Sequence, residues 1–202
     1  AGGSGGTTIE LKPSGTPDGL TAYLAWTPDA DGSNAGDKAG SGTGGIANSG
    51  WDVALEASDA MHGVTGLTLY GGYSVVDQDQ SKTSVNDDRE EYTVAAKYAA
   101  GSFSFGYQIS EDKQGTTTNN TYDNTFYSAT FSVNDDLSIS YGHAESDKEG
   151  AAGSAEADSI QAAYTYGGAT FRIAEVDVEN QTYSTAANKD LDATIISMGL
   201  AF

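Results

Sequence analysis

The sequence predicts an all-β chain, a transmembrane antiparallel β-barrel with about eleven strands in the residues given. Three observations predict it. Apolar and polar residues alternate over many short segments, the polar side of those segments is made of small residues, and tight turns alternate with long acidic connections. Alternation matters because a barrel strand hides its apolar residues at every second position, so crossing a membrane needs no long apolar run.

The strands are read in chain order. The first is expected near Ile9 to Lys12, with Glu10 and Lys12 on its polar side, and the second over Leu20 to Thr27, where Tyr23 is polar-facing. In the third, Trp51, Val53, Leu55 and Ala57 oppose Asp52, Ala54, Glu56 and Ser58. A fourth covers Leu67 to Val76. Arg89 and Glu91 lead into a fifth, where Tyr92, Val94, Ala96 and Tyr98 face away from Thr93, Ala95 and Lys97. The clearest is the sixth: Phe103, Phe105, Tyr107 and Ile109 against Ser102, Ser104, Gly106, Gln108 and Ser110. Phe126 to Val133 follows, then Leu137, Ile139 and Tyr141 opposed to Ser138, Ser140 and Gly142, and then Ile160 to Tyr166. Within Phe171 to Val178, Phe171 and Ile173 share one face while Ala174, Val176 and Val178 share the other, which leaves Arg172 hard to place and suggests a bulge near Ala174. The last strand, Thr194 to Phe202, carries Ile196, Met198, Leu200 and Phe202 on one side.

The polar face separates a barrel from a soluble sandwich. A sandwich turns Lys, Glu and Thr to solvent, whereas here Ser, Gly, Ala and Thr dominate with a few charges, which suits the wall of a lumen. The connections agree with this. Tight turns at Pro17-Asp18-Gly19, Ala100-Gly101, Asn134-Asp135-Asp136 and Gly167-Gly168 alternate with long polar stretches such as 29–50 and 77–88. Most of the 29 acidic residues fall in the long connections and adjoining strand ends, so one rim is strongly negative. Tyr92, Tyr98, Tyr107, Tyr141, Tyr164 and Tyr166 lie on apolar faces near strand ends, where amphipathic rings suit a membrane interface, and Trp26 and Trp51 are expected in the outer belt.

Composition narrows the function classes. The 202 residues carry 29 acidic and 9 basic side chains, a formal charge of −20, and such a chain lacks the basic footprint that nucleic acid requires. A 10% aromatic content is too high for a disordered acidic tail. No run is long and apolar enough for a spanning helix. There is no cysteine, in keeping with passage through an oxidising compartment.

The final strand ends on Phe202 after Ile196, Met198 and Leu200 at alternate positions, and this resembles the terminal signal of Gram-negative outer-membrane proteins that the barrel-assembly machinery reads. The hairpin from Ile160 through Tyr164-Thr165-Tyr166-Gly167-Gly168-Ala169-Thr170-Phe171-Arg172 to Val178 resembles that of the general diffusion porins, especially the alphaproteobacterial kind. The resemblance implies a sixteen-stranded homotrimeric barrel in the outer membrane, in contact with lipid and lipopolysaccharide and narrowed by a loop folded inward. An odd strand number does not close a bacterial barrel of the usual kind. Residues 1–202 are therefore expected to be the carboxy-terminal part of one barrel domain, with about five strands and the constriction loop lying before them.

Other motifs weigh less. Gly40-Ser41-Gly42-Thr43-Gly44-Gly45 matches a nucleotide-loop pattern formally, but no strand precedes it and no helix follows. Asp29-Ala30-Asp31-Gly32 has its glycine too early for a calcium loop and lacks the closing glutamate, although clustered rim carboxylates leave loose divalent-cation binding open. Tyr141-Gly142-His143-Ala144-Glu145-Ser146 invites comparison with outer-membrane phospholipases, in which a His is followed two residues later by a nucleophilic Ser. Glu145 stands at that position here, and Ser146 points to the other face. His62 is expected in a turn, with a surface role. The expectation is a pore without enzymatic activity, cofactor or metal centre, lined by Glu10, Lys12, Tyr23, Asp52, Glu56, Arg89, Glu91, Lys97 and Arg172 and mildly preferring cations. The rival is a non-conducting barrel that displays its loops as an adhesin or receptor.

Overall fold

The computed structural model describes residues 7–30, 46–118, 121–186 and 189–200. They form β1 (Ile9–Leu11), β2 (Leu20–Thr27), β3 (Ala47–Ala57), α1 (Asp59–His62), β4 (Leu67–Gln78), β5 (Arg89–Ala100), β6 (Phe103–Lys113), β7 (Thr121–Ser132), β8 (Leu137–Lys148), β9 (Ala155–Tyr166), β10 (Ala169–Glu179) and β11 (Leu191–Leu200). All eleven strands belong to one antiparallel sheet in which spatial order follows chain order. The chain divides into two compact units, Ala1–Ala95 with Ser110–Tyr122, and Ala96–Ile109 with Asp123–Phe202.

In the first unit, Trp26 lies opposite Trp51 and Leu24 opposite Val53, while Ala25 lies opposite Asp52 and Thr21 opposite Glu56. Directly opposed residues point to the same side of a sheet, so the register keeps the two faces distinct. A register shift between Ala47 and Gly50 brings Ala47 opposite Gln78, and beyond it Ala30, Ala47 and Val76 close into a small buried patch. The connection after β4 is docked on the one after β6. The backbone N–H groups of Asn86 and Asp87 donate to the Gly115 carbonyl at 3.0 and 3.1 Å, and Gln78 Nε2 donates to the Gln114 carbonyl at 2.6 Å. Gly115 has φ 67°, and a side chain there would collide with the carbonyl oxygens of Asp87 and Asp88, so the position admits glycine alone. In the connection after β4, Asp79 accepts the hydroxyl of Ser81 at 2.6 Å and the Ser81 backbone N–H at 3.0 Å, and these bonds hold its carboxyl below the usual range.

His62 ends the single helical turn α1 rather than lying in a plain turn, and its Nδ1 accepts the Val64 N–H at 3.2 Å. Four residues are too few for helical periodicity to register in the sequence.

In the second unit, β10 runs in unbroken register from Ala169 to Val178 against β11 and to Glu179 against β9. The bulge expected near Ala174 is absent. Phe171, Ile173, Glu175 and Asp177 share one side, and Arg172, Ala174, Val176 and Val178 share the other, as a straight strand requires. What changes along β10 is the chemistry of each side, which imitates a phase slip. The same effect makes several strands longer than the alternation suggests: β8 continues to Lys148 and β9 begins at Ala155. There the side that is aromatic elsewhere carries His143, Glu145, Glu156 and Asp158 and the other side carries small residues, so pairing continues after the hydrophobic signal has ended.

Candidate functional site

The sheet has one aromatic side and one side of small residues. On the aromatic side, Trp51 and Tyr73 have ring centroids 5.6 Å apart, Phe103 and Phe131 4.6 Å, and Tyr127 and Tyr141 6.3 Å. These residues are 36 to 48% exposed. Among the described residues the buried hydrophobic side chains are Ala30, Ala47, Val76, Val85 and Ala174, far short of the core that two packed sheets would enclose. An apolar surface so extensive needs a nonaqueous neighbour.

In the first unit Glu10, Lys12, Tyr23, Asp52, Glu56, Arg89 and Glu91 fall on the side opposite Trp51 and Tyr73. Glu10 lies across from Ala25, Ala25 from Asp52, and Asp52 from Ser74, which makes one transverse row. Tyr23 opposes Ala54, which opposes Gly72, and Glu56 opposes Thr21 and Tyr70. Thr93 of β5 abuts Gly72, so Arg89, Glu91 and Lys97, which alternate with Thr93, share this side. Arg172 stands exposed between Ala163 and Ser197.

Two clusters organise the charge. Arg89 grips Asp112 with a fork, Nε to Oδ1 at 3.1 Å and Nη2 to Oδ2 at 2.9 Å, and also pairs with Glu91. Nearby, Ser74 donates to Asp52 at 2.5 Å, Lys12 Nζ donates to the Tyr23 hydroxyl at 3.2 Å, and the Lys12 ammonium sits 4.9 Å over that ring. Glu10, Lys12, Tyr23 and Asp52 line a recess of ≈ 460 Å³. Carboxylates outnumber cations on this part of the face, and with small residues between them their charge acts on whatever fills the space beside the sheet. Asp112 and Ser74 are not among the expected site residues. Both keep the parity of small polar neighbours, Asp112 that of Gln108 and Ser110, and that parity is the signal that could have identified them.

The expected assembly residues Ile196, Met198 and Leu200 lie on the aromatic side, opposite Ile173, Phe171 and Ala169. Phe202 is outside the described residues, as are Asp31, Gly32 and Gly40–Gly45 of the weaker motifs. On the aromatic side His143 Nδ1 is 3.0 Å from Asp158 Oδ1, the imidazole stacks on Tyr127, and the Tyr141 hydroxyl donates to the same carboxylate. Ser146 lies on the other side and bonds to Asn124 and Tyr183, so the imidazole has no serine of its own segment to activate.

A family model described as Gram-negative porin matches residues 5–197. Among solved structures, OmpF of Salmonella typhi in complex with daunomycin aligns with TM-score 0.69 at 16% identity, covering 95% of this chain and 60% of that one. A mutant of Rh. blastica porin aligns with TM-score 0.56 at 17% identity, over 96% of this chain and 79% of that one. A porin structure refined at 1.8 Å aligns with TM-score 0.61 at 13% identity, over 94% and 61%. No curated protein matches by sequence.

Proposed function

The chain belongs to the Gram-negative porin family of outer-membrane β-barrels, and from that premise we propose that it lines a water-filled channel through which ions and small hydrophilic solutes diffuse passively. The observation that carries this reading is the two-sided sheet: an exposed aromatic face suited to lipid, backed by a face of small residues that carries Glu10, Asp52, Glu56, Arg89 and Glu91. No chemistry on solutes is part of the proposal. The field from the excess carboxylates supports a mild preference for cations, with Asp52 and Glu56 as the main contributors and Lys12, Lys97 and Arg172 opposing them.

The chain spans 60% of the length of the S. typhi porin it matches. We take the barrel that conducts to include strands beyond these eleven, since bacterial barrels close with an even number. A homotrimer in contact with lipid and lipopolysaccharide, assembled by the barrel-assembly machinery, completes the proposal. Clustered carboxylates at the acidic rim, as hard oxygen ligands, hold divalent cations loosely in this proposal.

Reconstitution of the full-length protein into planar bilayers tests the reading. Stepwise conductance that scales with bulk salt conductivity is expected. Folded protein that inserts without conducting would refute the channel and favour loop display instead.

A further inference from the structure

We propose that residues 180–186, after β10, form a flap folded onto the small-residue face, and that Tyr183 makes it a specificity element at the rim of the long connections. Its functional meaning rests on the channel reading, whereas its geometry stands separately.

Tyr183 follows the end of β10, yet its hydroxyl lies 2.9 Å from Oγ of Ser146 on β8, so the side chain reaches across β9. Ser146 in turn donates to Asn124 Oδ1 on β7 at 2.6 Å, and the Lys148 ammonium sits 5.8 Å over the Tyr183 ring. Ser146 and Lys148 alternate with the same parity as Ser138, Ser140 and Gly142, which puts the tyrosine on the small-residue face. On that face the neighbouring positions of β8 and β9 are Ala144, Ala155 and Ala157, where no bulky side chain competes for the space the ring occupies.

The backbone of the segment is also pinned. The Asn180 N–H donates to Asp190 Oδ1 at 3.0 Å and the Gln181 N–H to the Lys189 carbonyl at 3.0 Å. A Cβ added at Gly153, in the connection after β8, would lie 2.9 Å from Thr185 Cγ2, so that connection packs against the flap. Asn180, Thr182 and Tyr183 hold left-handed φ values of 51°, 68° and 59°. A β-branched threonine rarely adopts that conformation, and such residues persist only where their surroundings over-determine them. A merely solvated loop would relax out of it.

The consequence is a ring and an ammonium projecting from the wall of a passage whose rim carries more acidic than basic residues. They take up cross-section near β7 to β9 and place one positive charge there.

The test uses the full-length protein with no other cysteine and Ala155→Cys as a probe beside the ring. Labelling by a small hydrophilic thiol reagent is measured with Tyr183 intact, with Tyr183→Phe and with Tyr183→Ala, alongside liposome swelling in neutral sugars of increasing size. A net hydrogen bond shifts an open–closed equilibrium by a factor of roughly five. Tyr183→Phe, which keeps the ring and so guards against misfolding, is therefore expected to speed labelling by about that factor. Tyr183→Ala is expected to speed it further and to raise the sugar cut-off. Equal labelling rates in all three forms would overturn the flap. Faster labelling with an unchanged cut-off would overturn its role in specificity. A protein that conducts in no form refutes the channel reading instead, and the labelling rates still decide the flap.

Discussion

Asp52 stands at the centre of a row that runs from Glu10 through Ala25 to Ser74, and it accepts a hydrogen bond from Ser74 at 2.5 Å. Its amide can keep that acceptor while losing the charge, which makes substitution there a clean electrostatic probe. Replacing Asp52 and Glu56 by Asn and Gln together is expected to move the reversal potential under a salt gradient toward that of a nonselective pore. Asp79→Asn, in the connection between β4 and β5, is expected to change it little. Asp112 is a different case, since it holds the guanidinium of Arg89 by two bonds. Asp112→Ala removes a charge-assisted pair with both side chains about three-quarters buried, at a cost of about 1 to 2 kcal/mol to the barrel. It is also expected to shift selectivity toward anions, because the arginine is then less neutralised. Urea unfolding of the reconstituted protein and bilayer reversal potentials measure the two effects separately.

The strands divide into a membrane-facing band and an extension beyond it. On β5 the aromatic side runs from Tyr92 through Val94 and Ala96 to Tyr98, whereas on β10 the same side changes from Phe171 and Ile173 to Glu175 and Asp177. Carboxylates cannot face hydrocarbon without large cost, so the band on β10 ends between Ile173 and Glu175. Val94→Arg, in mid-band, is therefore expected to destabilise the barrel by roughly 2 to 4 kcal/mol, and Glu175→Arg by much less. Folded yield and urea midpoints in lipid vesicles check the contrast, and equal effects would place the band elsewhere. The last strand belongs to this scale as well. Ile196, Met198 and Leu200 turn to the aromatic side, so deleting Phe202 is expected to lower folded yield while leaving the conductance of the molecules that do fold unchanged.

Across the whole molecule, 29 acidic residues against 9 basic ones create a field larger than any single pair. That field is screened over about 8 Å at physiological ionic strength and about 3 Å at 1 M salt. Cation preference is thus expected to weaken steadily as salt rises, and selectivity ratios measured over a tenfold salt range would reveal it. A preference for anions at low salt would refute the charge argument and leave the barrel standing.

Much of this protein is legible in its sequence because a sheet's side-chain period is two and a membrane makes one side conspicuously apolar. Residues such as Phe103, Phe105 and Tyr107 against Ser104, Gly106 and Gln108 declare strand, face and environment together, and the same parity puts Glu10, Asp52 and Arg172 on the small-residue side. Where neither side carries large apolar residues, parity goes silent. The extensions of β8 and β9 toward Lys148 and Ala155 look like loops in the sequence, and the change of chemistry along β10 looks like a bulge. Alternation also says nothing of partners distant in the chain. The grip of Arg89 on Asp112, the docking of the β4–β5 connection on Gly115 and the reach of Tyr183 to Ser146 are set by register and loop path. Only the folded sheet decides which rows come level and which loop finds room to turn inward over alanines.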